Sequence, residues 1–291
     1  MELKGVLPPI TTPFQDGEIA IDKLKENFSL WNKTDLSGYL VLGSNGETVY
    51  LDREEKLRIV ETAREMIPKE KIFMVGTGHE STIETIKFTN KVAEIGADYA
   101  LVMNPSYFKG QMKKENLKAH FFKIAEESKI PILVYNVPQF TGINMDAELI
   151  AALSEHANIK GLKDSSGNIA QLSEIVALTG DDFKVFVGNA TVFFPALSVG
   201  ADGAILAIAN VIPELCTKLY EHFNKGEWEE AKKLQQKLIP FSKAVTTIYG
   251  IGGLKKAMDM REYFGGEPRL PLLKPNKEGV ERIERLLKEL I

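Results

Sequence analysis

Eight short apolar runs separated by amphipathic stretches constrain this chain more than any other feature. They are Gly5 to Ile10, Gly38 to Gly43, Ile72 to Gly76, Tyr99 to Asn104, Ile132 to Val137, Ile159 to Lys163, Val185 to Gly188 and Gly203 to Ile208, recurring every 20 to 40 residues or so. Each reads as a strand. Between them, segments such as Arg53 to Ile67, Thr82 to Ile95 and Glu115 to Glu127 carry apolar residues at helical spacing. Eight strands alternating with helices predict an α/β chain folded as a closed (β/α)8 TIM barrel. An open doubly wound sheet is the competitor, but the glycine fingerprint G-x-G-x-x-G is absent after the first strand, and Gly76-Thr77-Gly78 reads as a tight turn.

Four further helical patterns follow the eighth strand: Pro213 to Phe223, Trp228 to Tyr249, Leu254 to Tyr263 and Lys277 to Leu290. A barrel closes with one helix after its last strand, so roughly the final 65 residues are additional. The expected organisation is one domain, with residues 1–225 as the catalytic barrel. Residues 226–291 form a C-terminal helical extension packed on the barrel flank or between subunits. No linker-like stretch or composition break divides the 291 residues.

Composition excludes several classes of function. A net charge of −4 with 26% charged residues gives no basic field for nucleic acid or an anionic membrane, and Lys113-Lys114 and Lys232-Lys233 fall on helical patterns. No apolar run approaches the ~18 residues needed to span a bilayer, and Met1 to Gly5 leads directly into a strand without a signal-like apolar core. The single cysteine, Cys216, cannot form an internal disulfide. A cytoplasmic protein is expected.

In a barrel of this kind chemistry sits at the C-terminal strand ends. Those ends supply Thr11-Thr12, Ser44-Asn45, Thr77, Ser106-Tyr107, Tyr135, Lys163, Gly188-Asn189 and Asn210. Most lysines at strand ends are solvated and inert. Lys163, however, ends a buried strand, and burial penalises the ammonium and frees the nucleophilic amine. A neutral amine there can attack a ketone and form an iminium, the electron sink that C–C bond formation or cleavage requires. Tyr135, at the preceding strand end, is placed for the accompanying proton transfers, with Ser44 and Tyr107 as a relay. Gly43-Ser44-Asn45-Gly46-Glu47 reads either as a nest of backbone N–H groups for a carboxylate or as a plain glycine turn. With a nest, a 2-oxo acid is the fitting substrate, its carboxylate held by the nest and its ketone presented to Lys163; Ser44, Asn45, Gly188 and Ile205 are taken as the candidate substrate contacts.

Other chemistries lack the residues they need. His120, His156 and His222 read as helix residues and only His79 lies near the mouth, so no metal site is expected, and no cofactor. No G-x-S-x-G elbow occurs, and Cys216 sits in a helical pattern without a recognisable histidine partner.

Three motifs, Gly43-Ser44-Asn45-Gly46-Glu47, Tyr135-Asn136-Val137-Pro138 and Gly161-Leu162-Lys163-Asp164-Ser165-Ser166-Gly167, stand in one order and spacing. Together they resemble the dihydrodipicolinate synthase/N-acetylneuraminate lyase family from Gly5 to about Leu273. The resemblance implies a metal-free class I aldolase on a (β/α)8 barrel, usually a homotetramer, that forms a Schiff base with pyruvate or a pyruvate-yielding substrate. It places the Schiff-base lysine on Lys163, the catalytic tyrosine on Tyr135 and the hydroxyl and carboxylate-binding pair on Ser44 and Asn45. The tyrosine contributed across a dimer interface falls on Tyr107.

Departures bear on the substrate. Phe140 stands where the synthases carry an arginine, and Ser44-Asn45 where they usually carry two threonines. Ala190 and Thr191 replace the acidic pair of the N-acetylneuraminate lyases. The chain is most similar to 4-hydroxy-2-oxoglutarate aldolases, in the glycine-rich motif, in Gly78 to Thr82 and in the tail from Gly226 to Lys256. Those tail residues are expected far from the mouth. The reading is cleavage of 4-hydroxy-2-oxoglutarate to pyruvate and glyoxylate. Its alternatives are condensation of pyruvate with aspartate semialdehyde and a non-catalytic oxo-acid-binding barrel. Asp52 to Lys56 replace the histidines of lysine-inhibited synthases, so free lysine is not expected to inhibit.

Overall fold

The computed structural model describes residues 2–291 and has the expected barrel with its C-terminal helices. The barrel strands are β1 (Gly5–Leu7), β2 (Gly38–Val41), β3 (Ile72–Gly76), β4 (Tyr99–Met103), β5 (Ile132–Asn136), β6 (Ile159–Asp164), β7 (Lys184–Val187) and β8 (Gly203–Ile205). Every neighbouring pair in that order is parallel from β2 to β8, and β8 pairs with β1. The ring closes between β1 and β2 through a parallel bridge, Pro9 to Leu40.

Three strands end two or three residues before their apolar runs do. β1 stops at Leu7 because Pro8 and Pro9 have no N–H to donate to a ladder. β2 stops at Val41 because Leu42 turns into the left-handed region, with φ 57°. The run Gly203 to Ile208 likewise leaves the sheet after Ile205 and becomes a 3-10 turn over Ala207–Asn210.

Helices α1 (Ile21–Trp31), α2 (Arg53–Met66), α3 (Thr82–Ile95), α4 (Lys114–Glu127), α5 (Ala147–Ser154), α6 (Ile169–Leu178), α7 (Phe193–Ser198) and α8 (Pro213–Asn224) alternate with the strands. Their starts are written into the chain. The Asp52 side chain accepts from the Glu55 N–H while Glu55 returns the bond, closing a capping box on α2. Pro213 opens α8, where its missing N–H costs nothing. The extension comprises α9 (Trp228–Lys243), a π-helical turn Ala244–Ile248, α10 (Gly250–Asp259) and α11 (Lys277–Lys288). The predicted helix Trp228 to Tyr249 thus changes winding at Ala244, and α10 starts at Gly250, ahead of the predicted Leu254. No described helix is long and apolar enough to cross a membrane.

Side chains alternate across each strand, so the apolar residues divide into two sets. Val134, Leu162 and Val187 pack outward against the helices. Leu7, Leu40, Met74, Leu101, Leu133, Tyr135, Phe186 and Ile205 fill the barrel interior. Tyr135, Lys163 and Phe186 are successive partners in register across β5, β6 and β7, which puts the lysine among interior residues. Truncating Phe186 to Ala beside it costs about 3–5 kcal/mol.

Candidate active site

Lys163 and Tyr135 are the penultimate residues of β6 and β5 and face each other across the ladder. The lysine is only 3% exposed, and its Nζ lies 4.3 Å from the Tyr135 ring centroid. Burial holds the Lys163 amine below the ordinary lysine range, with Tyr135 pulling partly the other way. A cation over an aromatic face gains some stabilisation, but less than burial removes.

Gly188 gives the lysine its space. A Cβ there would stand 1.9 Å from Ser165 Oγ and 3.0 Å from Lys163 Cε. Asp164 is turned away from the amine: its Oδ1 accepts from Ser166 N–H at 3.0 Å and Ser166 Oγ at 2.6 Å, and its Oδ2 accepts from Asn136 Nδ2 at 2.7 Å. Those bonds fix the loop after the lysine, while burial raises the Asp164 carboxyl above its usual range.

A cavity of about 430 Å³ opens above the pair, lined by Lys163, Tyr135, Asn45, Gly188 and Ile205 from the barrel. Five predicted site residues are thus brought together. Among the described residues, Lys163 is the one charged side chain that lines it. Ser44 lines a smaller adjoining space of about 40 Å³ with Tyr135, Lys56 and His79. Ser44–Gly46 forms a 3-10 turn in which Gly46 N–H donates to Gly43 O and Glu47 N–H to Ser44 O. The predicted nest is therefore narrower than five residues, since the turn consumes two of its N–H groups. The buried Asn45 Nδ2 has no hydrogen-bond partner in the protein. An unpaired buried donor is costly, and a ligand carboxylate would satisfy it.

Glu47 follows that turn with φ 55°, a left-handed conformation that costs a non-glycine residue about 1–2 kcal/mol. Its side chain is fully buried, as is that of Lys255 on α10, and the two meet at 2.5 Å.

Tyr107 is 80% exposed, lies edge-on to Phe108 at 5.0 Å and lines neither space of its own chain. Two expectations need correction. His156 sits in the turn after α5 and not in a helix. The tail from Gly250 to Lys256 is not far from the mouth: Gly250, Ile251 and Leu254 line the main cavity with Ser242, Val245 and Thr246. A glycine-rich helix start was the available signal, because a Cβ on Gly252 would stand 2.2 Å from Leu273 O. Ser165 and Gln139 also line the cavity and were not singled out in the sequence.

This constellation can be set against known proteins. The dihydrodipicolinate synthetase family model matches residues 2–290. The chain belongs to that family. It is 34% identical over 288 residues to a 4-hydroxy-tetrahydrodipicolinate synthase of Geobacter metallireducens, covering 98% of both chains. It is 36% identical over 273 residues to one of Methanosphaerula palustris, covering 92% of this chain and 93% of that one. A dihydrodipicolinate synthase crystal structure from Thermotoga maritima superposes with a TM-score of 0.93 at 30% identity, over 99% of this chain and 98% of the other. Membership in the dihydrodipicolinate synthetase family makes the chain an enzyme of the aldolase class. The two relatives carry the synthase name, and so support the alternative reading better than the 4-hydroxy-2-oxoglutarate substrate expected from the motifs.

Proposed function

We propose that the chain is a Schiff-base aldolase in which Lys163 captures pyruvate or a pyruvate-yielding 2-oxo acid. The observation that carries this reading is the buried Lys163 amine, held below its ordinary pKa beside Tyr135 at a cavity. The neutral amine attacks the C2 carbonyl, and the carbinolamine loses water to leave an iminium. Loss of a C3 proton gives an enamine whose C3 attacks an aldehyde, and the reverse sequence cleaves a 4-hydroxy-2-oxo acid. Tyr135 delivers and accepts protons at the carbinolamine oxygen and at the aldehyde oxygen. Ser44 and Asn45 receive the pyruvate carboxylate, supported by the unpartnered Asn45 Nδ2. Gly188 and Ile205 bound the methyl end. Tyr107 serves a neighbouring copy within a homotetramer, consistent with its exposure.

Two readings of the second reactant have separate support. The names of the relatives favour condensation with aspartate semialdehyde. The likeness of Gly43 to Glu47 and of Gly78 to Thr82 to 4-hydroxy-2-oxoglutarate aldolases favours cleavage of that substrate. Phe140, a 58% exposed apolar ring at the cavity, does not separate the two, because aspartate semialdehyde and glyoxylate both carry a carboxylate. A turnover panel separates them. Condensation with aspartate semialdehyde at a kcat/KM above that for 4-hydroxy-2-oxoglutarate cleavage supports the first, and the opposite order supports the second. Turnover of neither would refute both readings of the second reactant.

A further inference from the structure

The glycine-rich turn and the C-terminal extension are joined by a buried ion pair 208 positions apart in sequence, Glu47 to Lys255. Both side chains are fully buried and the contact is 2.5 Å. Each charge has a second anchor. Glu47 Oε2 accepts from the Arg269 N–H at 2.8 Å, and Lys255 Nζ donates to the Glu267 carbonyl at 2.9 Å. The Lys255 ammonium also lies 4.4 Å from the Phe14 ring centroid, and the Arg269 guanidinium 4.3 Å from the same ring. Arg269 then forks onto Glu55, with Nη2 at 2.5 Å and Nη1 at 2.8 Å from its two oxygens.

The position of the pair connects this network to the cavity. Glu47 is two residues beyond Asn45, in a left-handed conformation that requires outside support. Lys255 directly follows Leu254, which lines the cavity with Ile251 and Gly250. One ion pair therefore joins two parts of the cavity lining: the turn bearing Asn45, and the helix bearing Gly250, Ile251 and Leu254. A buried pair of this kind is weak support for stability, because an apolar pair of equal volume does as well or better, but it fixes register strongly.

We propose that Glu47 and Lys255 are positioning residues that hold the Ser44–Asn45 turn at the distance from Lys163 that seats a 2-oxo acid's carboxylate. The proposal rests on the Schiff-base reading of Lys163. Neither side chain touches the substrate; they act through the turn and through α10.

The test compares wild type, Glu47→Gln and the double variant Glu47→Gln/Lys255→Met. The double variant removes both buried charges together and keeps the Arg269 N–H satisfied by the amide oxygen. Pyruvate is titrated, the adduct is trapped with borohydride, and hydrogen exchange is followed in the peptide spanning 40–50. The double variant is expected to keep its far-ultraviolet circular dichroism. Its half-saturating pyruvate rises at least 10-fold, its trapping rate at saturating pyruvate changes less than 3-fold, and the 40–50 peptide loses protection. Glu47→Gln alone keeps the volume but leaves the buried Lys255 charge without its partner, so it raises half-saturation at least as much as the double variant and answers the question if the double variant does not fold. Wild-type half-saturation in a folded variant would overturn the proposal, as would equal losses of affinity and rate. If wild type forms no adduct, the Schiff-base reading fails, and the carboxylate-seating role falls with it. Unchanged protection of the 40–50 peptide would separately overturn the clamp on the turn.

Discussion

Lys163 and Tyr135 are paired residues on neighbouring parallel strands, and the lysine ammonium sits 4.3 Å from the tyrosine ring centroid with almost no access to water. The backbone ladder itself holds this relation, so neither side chain depends on a loop for its place. A strand-borne pair gives the amine a fixed direction of attack and gives the phenol a fixed distance to it.

Replacing Lys163 by Met tests the cost of burying that amine. Below the depressed folded pKa both states are protonated, and the folded chain holds an ammonium it cannot hydrate. Between that value and the ordinary 10.5 only the unfolded chain binds the proton, so wild-type stability rises with pH across this window. Lys163→Met removes the dependence. Urea denaturation is expected to show the variant more stable than wild type at pH 6, with the gap closing as pH approaches 10.5. Turnover falls at least ~1000-fold, the scale on which loss of a covalent nucleophile is felt.

Tyr135→Phe keeps the ring beside the ammonium and removes only the hydroxyl. Turnover should fall about 100-fold or more, the usual contribution of a positioned proton donor. Borohydride trapping at long incubation should still reach wild-type yield. Undiminished turnover would remove Tyr135 from proton transfer.

Asn45→Ala deletes a buried donor that has no protein partner, so folding loses little. The melting temperature is expected to hold or rise. The KM for the 2-oxo acid should increase about 10-fold, equivalent to ~1.4 kcal/mol, because the carboxylate loses a charge-assisted bond. A lower melting temperature with unchanged KM would make Asn45 a structural residue only.

Phe140→Arg restores a cation at a cavity whose lining has no charge besides Lys163 among the described residues. The KM for the carboxylate-bearing second reactant, aspartate semialdehyde or 4-hydroxy-2-oxoglutarate, should fall about 10-fold, as expected for a new bidentate carboxylate contact. An unchanged KM would show that this carboxylate is bound elsewhere.

The barrel was legible because its signal is local: strand runs and helix starts such as Asp52 and Pro213 are set by nearby residues. Lys163 and Tyr135 were legible for the same reason, since a strand's end places its side chain. What failed depends on the path of the chain in space. Gly250 and Ile251 fall between two predicted helices and Leu254 reads as an ordinary helix start, and nothing local says that this segment lines the cavity. Lys255 carries no mark distinguishing it from the neighbouring Lys256, because its burial comes from Glu47, far away in sequence. Pro8 and Leu42 shortened strands through backbone constraints that apolar content does not register.

The most direct test of the account is borohydride reduction in the presence of pyruvate, followed by peptide mass analysis. One adduct is expected, on the peptide carrying Lys163, with none in Lys163→Met and with labelling reaching its plateau below the ordinary lysine pKa of 10.5. Absence of an adduct at saturating pyruvate, or an adduct on another lysine, would contradict the assignment of Lys163 as the Schiff-base amine.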